Sequence, residues 1–186
     1  MDFHVGEKVI YPNHGIGVIE SIQQIGGASG VYVLRLLSNN SRVWVSRENA
    51  AGVGLRSVST AADVRRVYSL LGDGTIEQQS NWKGRFKENS DKMRTGSIYE
   101  VAGVLKGLTF LSRKKALSFR EKRMLDRAKF LIVSEIAEVE GKSLASVEER
   151  VDKALAKTFS VAVVAKPVAK KPVQTPVGAQ QRRSDA

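Results

Sequence analysis

Near residue 60 the apolar residues of this chain change their spacing, and the change separates two kinds of structure. Before it, the runs Lys8–Tyr11, Gly17–Ile25, Val31–Leu37 and Arg42–Ser46 are short and rich in Val, Ile, Leu and Tyr. Pro12-Asn13-His14-Gly15, Gly26-Gly27-Ala28-Ser29-Gly30 and Ser38-Asn39-Asn40-Ser41 separate them, and such clusters mark turns. Strands this close together leave no room for crossover helices, so residues 1–60 read as a small antiparallel barrel.

After it, the spacing is helical. A first helix is expected over Ala61–Leu71, stopped by Gly72-Asp73-Gly74, and a second from Ser80 to about Thr95, stopped by Gly96. Ser97-Ile98-Tyr99-Glu100 opens a third as a capping box, with Ile98, Val101, Ala102, Leu105 and Leu108 as its apolar stripe. Ser118-Phe119-Arg120-Glu121 repeats the box at the start of a fourth helix, which buries Met124, Leu125, Ala128, Leu131, Ile132 and Val139 and ends at Gly141. Ser146–Glu149 lies in the first turn of a fifth helix that runs to about Phe159. The expected fold is therefore β + α in two domains: 1–60, and an all-α domain of about five helices over 61–159. Residues 160–186 carry Pro167, Pro172 and Pro176 among Ala, Val, Lys and Gln with no periodic apolar face, the composition of a disordered basic tail.

Net charge is +11, and it is not spread evenly. Residues 1–60 are close to neutral at +1, residues 130–159 carry −2, and residues 83–129 hold 14 basic and 5 acidic side chains, net +9. On the fourth helix Arg120, Arg123 and Arg127 fall at i, i+3 and i+7, flanked by Lys122 and Lys129. Cations on one helical face can neutralise successive phosphates and release counterions; the alternative is a solvated helix face. Trp82 stands in Ser80-Asn81-Trp82-Lys83-Gly84-Arg85-Phe86-Lys87, either as a core anchor paired with Phe86 or as an aromatic wedge held against DNA by flanking cations. A wedge has to unstack bases, so it suits DNA already distorted or melted. No helix shows the Arg, Asn and Gln face of a base-reading element.

Catalysis finds little support. The chain has no cysteine and only two histidines, His4 and His14, which leaves no thiolate chemistry and no His-rich metal site. His14 sits in a turn where a structural role is the simpler reading. Gly15-x-Gly17 lacks the helix and Lys-Ser/Thr of a phosphate loop. Glu138/Glu140 and Glu148-Glu149 read as solvated helix charge. No cofactor or metal is expected. The N-terminus lacks a signal-peptide pattern and no window approaches the roughly 18 apolar residues of a membrane span, so the expectation is a cytoplasmic protein without membrane contact.

Three stretches together resemble the CarD/CdnL group of bacterial RNA polymerase-binding transcription regulators. They are Phe3-x-Val5-Gly6-Glu7-x-Val9-Ile10-Tyr11-Pro12-x-His14-Gly15; Glu48-Asn49-Ala50 with Val53-Gly54-Leu55-Arg56; and Asn81-Trp82 with Glu121-Lys122-Arg123-Met124-Leu125. The likeness covers about residues 1–157. It implies a Tudor-like (SH3-like) barrel that docks on the RNA polymerase β subunit, a domain shared with the transcription-repair coupling factor. It also implies a helical domain touching promoter DNA at the upstream edge of the bubble, where Trp82 matches a minor-groove wedge. Basic family positions match Arg85, Lys87, Lys122 and Arg123, and with the charge pattern the expected DNA-binding set is Trp82, Lys83, Arg85, Lys87, Lys92, Lys122, Arg123 and Arg127. The polymerase-binding set is Ile25, Arg42, Trp44 and Arg47, with Ile25 and Trp44 standing where the family can carry arginines and Gly84 where it carries a basic residue. A monomeric, nucleoid-associated regulator that stabilises the open complex is implied. The competing readings are an architectural DNA- or RNA-binding protein without polymerase contact, and an interaction module whose basic face meets an acidic protein.

Overall fold

A computed structural model describes residues 2–24, 30–74 and 82–160. Five strands come first: β1 (Lys8–Tyr11), β2 (Gly15–Gln23), β3 (Val31–Leu36), β4 (Arg42–Ser46) and β5 (Arg56–Ser57). They pair antiparallel in the order β4-β3-β2-β1-β5. β2 begins two residues earlier than its apolar run suggests, because Tyr11 pairs with Gly15 across a three-residue turn; Asn13 (φ 61) within it and the paired Gly15 (φ 88) are left-handed. Ile25 and the Gly26–Ser29 turn signal lie outside the described residues. β5 has no counterpart among the expected strands, since two residues carry no periodicity.

Alternation along the strands puts Val9, Ile19, Tyr32, Leu34 and Val45 into one core with Phe3, Ala50 and Leu55. Tyr32 is fully buried at its centre. Its hydroxyl accepts the Phe3 N–H at 3.1 Å, the Phe3 ring meets it edge-on at 5.6 Å, and the Arg47 guanidinium lies 5.6 Å over its face.

Five helices follow: α1 (Ala61–Gly72), α2 (Trp82–Arg94), α3 (Ile98–Lys114), α4 (Phe119–Glu140) and α5 (Leu144–Ser160). Their stripes, such as Val64, Val67 and Leu71 on α1 and Val147, Val151 and Leu155 on α5, close around α3 and α4. Met124, Leu125 and Val139 of α4 are only partly buried, packed at the margin of this core. The Ser118–Glu121 capping box forms. The one expected at Ser97 does not: the Ser97 N–H donates to Thr95 Oγ1 at 3.2 Å, so the donor that Glu100 would take is already satisfied. α1 instead has an unforeseen box, Thr60 with Asp63. Gly141 ends α4 at φ 62, and Ser143 Oγ accepts the Ser146 N–H at 3.4 Å ahead of α5, which starts at Leu144. The expected tail lies, beyond Ser160, outside the described residues. Among the described residues no helix is long and apolar enough to cross a membrane.

Sheet and helices are locked together. Arg56 on β5 forks onto Glu135 of α4 at 2.7 and 2.9 Å, and its Nε donates to the Gly96 carbonyl at 2.7 Å. Glu135 is buried and also accepts from the Ser59 N–H (3.1 Å) and hydroxyl (2.6 Å). Lys8 reaches Glu138 at 2.6 Å, and Arg127 Nε donates to the Asn13 carbonyl at 2.7 Å. Pro12 sits between two left-handed glycines, Gly54 (φ 77) and Gly96 (φ 73); a Cβ on either would lie 2.9 Å from its Cγ.

Candidate nucleic-acid interface

The first turn of α2 is tied to the first turn of α4. Arg85 Nη2 donates to Glu121 Oε1 at 3.1 Å, and both side chains are buried. Burial opposes ionisation of Glu121, but bonds from the Ser118 N–H and hydroxyl and from Arg85 outweigh it and hold the carboxyl below its ordinary pKa. Arg85, expected to face DNA, is therefore a brace between helices. The buried guanidinium is paired with the cap carboxylate of the neighbouring helix, the arrangement a buried charge requires.

Trp82 is the first residue of α2 and Lys83 the second; their side chains lie outside the described residues. Lys87 is exposed one turn further on. Lys92 is engaged with Glu88 at 2.9 Å, one turn back on the same helix. On α4, Lys122 and Arg123 are exposed, with the Arg123 guanidinium 5.8 Å from the Phe119 ring centre. Arg127 is half-buried: burial lowers its pKa, its Nε is held by Asn13, and its guanidinium lies 5.4 Å over Phe130. The turn histidine, His14, stacks on Tyr11 at 5.0 Å; burial first, and then Arg127, push its pKa below the ordinary imidazole value.

Between α2 and α4 lies an open cleft of about 860 Å³, and of the expected DNA-binding residues Arg123 and Arg127 line it. Phe86, Met93 and Met124 line it together with Arg94, Arg120, Arg123 and Arg127, and Asn13 of the sheet domain lines it too. Sequence reasoning had Phe86 only as a partner for Trp82 and gave no role to Arg94 or Phe130. Their sequence separation hides that they share a wall. Phe119 was legible as an aromatic directly after a capping serine, and at 74% exposed it is the most exposed aromatic among the described residues.

The other expected set lies on the sheet. β4 is its outer strand, paired with β3 on one side. Val43 and Val45 face inward, while Trp44 is 57% exposed and stands outside the barrel core. Arg42 and Arg47 are not free cations. Arg42 donates to Glu20 at 2.7 Å, sharing it with Arg35, and Arg47 donates to Asp2 at 2.7 Å while covering Tyr32. Both carboxyls are held below their ordinary pKa by these arginines, Glu20 chiefly by Arg42 and Asp2 by Arg47.

Comparison with known proteins divides the chain in the same way. Residues 3–59 match the family model described as the CarD-like/TRCF RID domain, and residues 66–152 match the CarD C-terminal domain. The protein YdeB of Bacillus subtilis (strain 168), named as a candidate transcription factor, is 31% identical over 142 residues, covering 75% of this chain and 93% of its own length.

Proposed function

Because this chain belongs to the CarD/CdnL family of transcription regulators, we propose that it docks on the RNA polymerase β subunit and stabilises the promoter open complex. In this reading residues 1–60 hold the polymerase, residues 61–159 touch DNA at the upstream edge of the bubble without reading sequence, and Trp82 wedges into the minor groove. The basic tail of 160–186 adds a weak electrostatic tether. The protein works as a monomer at the nucleoid in the cytoplasm, and polymerase supplies the promoter choice.

One observation supports this reading most: a module whose outer strand is unpaired on one side among the described residues is clamped, through Arg56 and Glu135, to a module with a basic face. The outer side of β4 offers backbone N–H and C=O groups that a strand of a partner can extend, so docking survives the absence of free arginines there. Trp44, exposed on that strand, supplies the apolar contact. Docking through the sheet then fixes where the cations of the helical domain meet the DNA.

Trp82→Ala is expected to shorten open-complex lifetime on an unstable promoter while retention on immobilised β subunit is unchanged. An unchanged lifetime would remove the wedge. Trp44→Glu is expected to abolish retention of the full chain by the β subunit, and full retention would sink the docking mode.

A further inference from the structure

We propose that the cleft between α2 and α4 is a binding track for unpaired DNA bases, distinct from the duplex contact assigned to Trp82. Along α4, Phe119, Arg123, Arg127 and Phe130 fall at i, i+4, i+8 and i+11, one stripe of about 16 Å at 1.5 Å per residue. Each arginine of the stripe lies over the phenylalanine next to it, Arg123 at 5.8 Å and Arg127 at 5.4 Å. Arg94 and Arg120 complete the cleft wall, and among the described residues none of these four arginines is paired with a carboxylate. Asp126 is the one carboxylate among the lining residues, so the cleft carries a net charge of +3.

Charge alone would fit any polyanion, and the aromatics narrow the choice. Phe130, 38% exposed, and Phe86 line the cleft with the apolar Met93 and Met124, and Phe119, 74% exposed under the Arg123 guanidinium, continues the α4 stripe beyond it. A duplex keeps its base faces stacked inside and is wider than a cleft between two neighbouring helices. It can offer this surface only phosphates. An unpaired strand offers both phosphates and base faces, and sequence-tolerant stacking on aromatics in a basic groove is how single strands are held. An acidic peptide would satisfy the arginines but has no planar groups for the arginine-backed rings.

The test needs no polymerase, so its outcome is separable from that of the docking and wedge experiments. Anisotropy of a labelled oligo-dT of about 12 nucleotides is compared with that of a mixed-sequence duplex of equal length, using the full chain. The single strand is expected to bind more tightly. Phe119→Ala is expected to weaken single-strand binding about tenfold with little change for the duplex, and Arg120→Ala/Arg123→Ala to flatten its salt dependence. These side chains are exposed, so an unchanged melting temperature should accompany the loss. Arg123→Lys, which keeps the charge but not the planar group, should restore only part of the affinity lost in Arg123→Ala. Equal binding of duplex and single strand would overturn the proposal, as would an equal effect of Phe119→Ala on both. Displacement of the oligonucleotide by an acidic, apolar peptide at comparable concentration would assign the cleft to a protein partner instead.

Discussion

Glu135 shows how far a single side chain reaches in this molecule. It sits on α4 among apolar neighbours, and its periodic position marks it as neither core nor site. In the structure it is buried, with two bonds from Arg56 and two from Ser59. Removing one partner of a buried pair strands the other's charge, so Glu135→Ala is expected to cost about 3 kcal/mol in a urea denaturation. Lys8→Ala breaks a single-bonded pair at a similar distance whose partners are 46% and 29% exposed, and the expected cost is at most about 1 kcal/mol. Equal costs would refute this reading of the clamp. Arg85 carries the complementary lesson. Its basic neighbourhood announces a DNA contact, yet a buried ion pair with Glu121 claims it, and only a partner 36 residues away reveals that. Local composition reports charge; it does not report which charges are already spent on each other.

Helix starts show what a local pattern can and cannot carry. Ser118 and Glu121 satisfy each other within four residues, so that box is legible and forms. Ser97 and Glu100 have the same spacing, but the preceding Thr95 hydroxyl intercepts the donor. Thr60 and Asp63 form the box that begins α1, and Tyr99 of α3 adds its hydroxyl to Asp63 at 2.6 Å. The Thr60 hydroxyl first, and then Tyr99, lower the Asp63 pKa from 3.8 to about 2. With the folded pKa below the unfolded one, the cap's contribution is complete above about pH 4 and is lost as pH falls through about 2. A carboxyl NMR titration is expected to show Asp63 still ionised at pH 3, and Thr60→Val to move its midpoint toward the ordinary value more than Tyr99→Phe does. An Asp63 midpoint near 4 in the wild type would contradict this account. Strands were legible to the same degree as helices where they alternate, and β5 was not, because two residues have no period.

At the scale of the whole molecule the two-part plan follows from the change of period, while the joint between the parts does not. The joint is made by residues far apart in sequence, with Pro12 from the first turn held between Gly54 and Gly96. A side chain there meets both a left-handed backbone and the proline ring. Gly96→Ala is expected to lower stability by about 2 kcal/mol or more, with a rise in the radius of gyration by small-angle scattering. Gly141→Ala, equally left-handed but with nothing within 4 Å of the added carbon, should cost about 1 kcal/mol and leave the dimensions alone. Gly96→Ala without either change would mean that the joint tolerates slack. A joint without slack would make the molecule a gauge. If its strand edge rests on polymerase, the span from there to the cleft is a fixed length. The protein would then meet promoters at a constant number of base pairs from the enzyme, whatever their sequence.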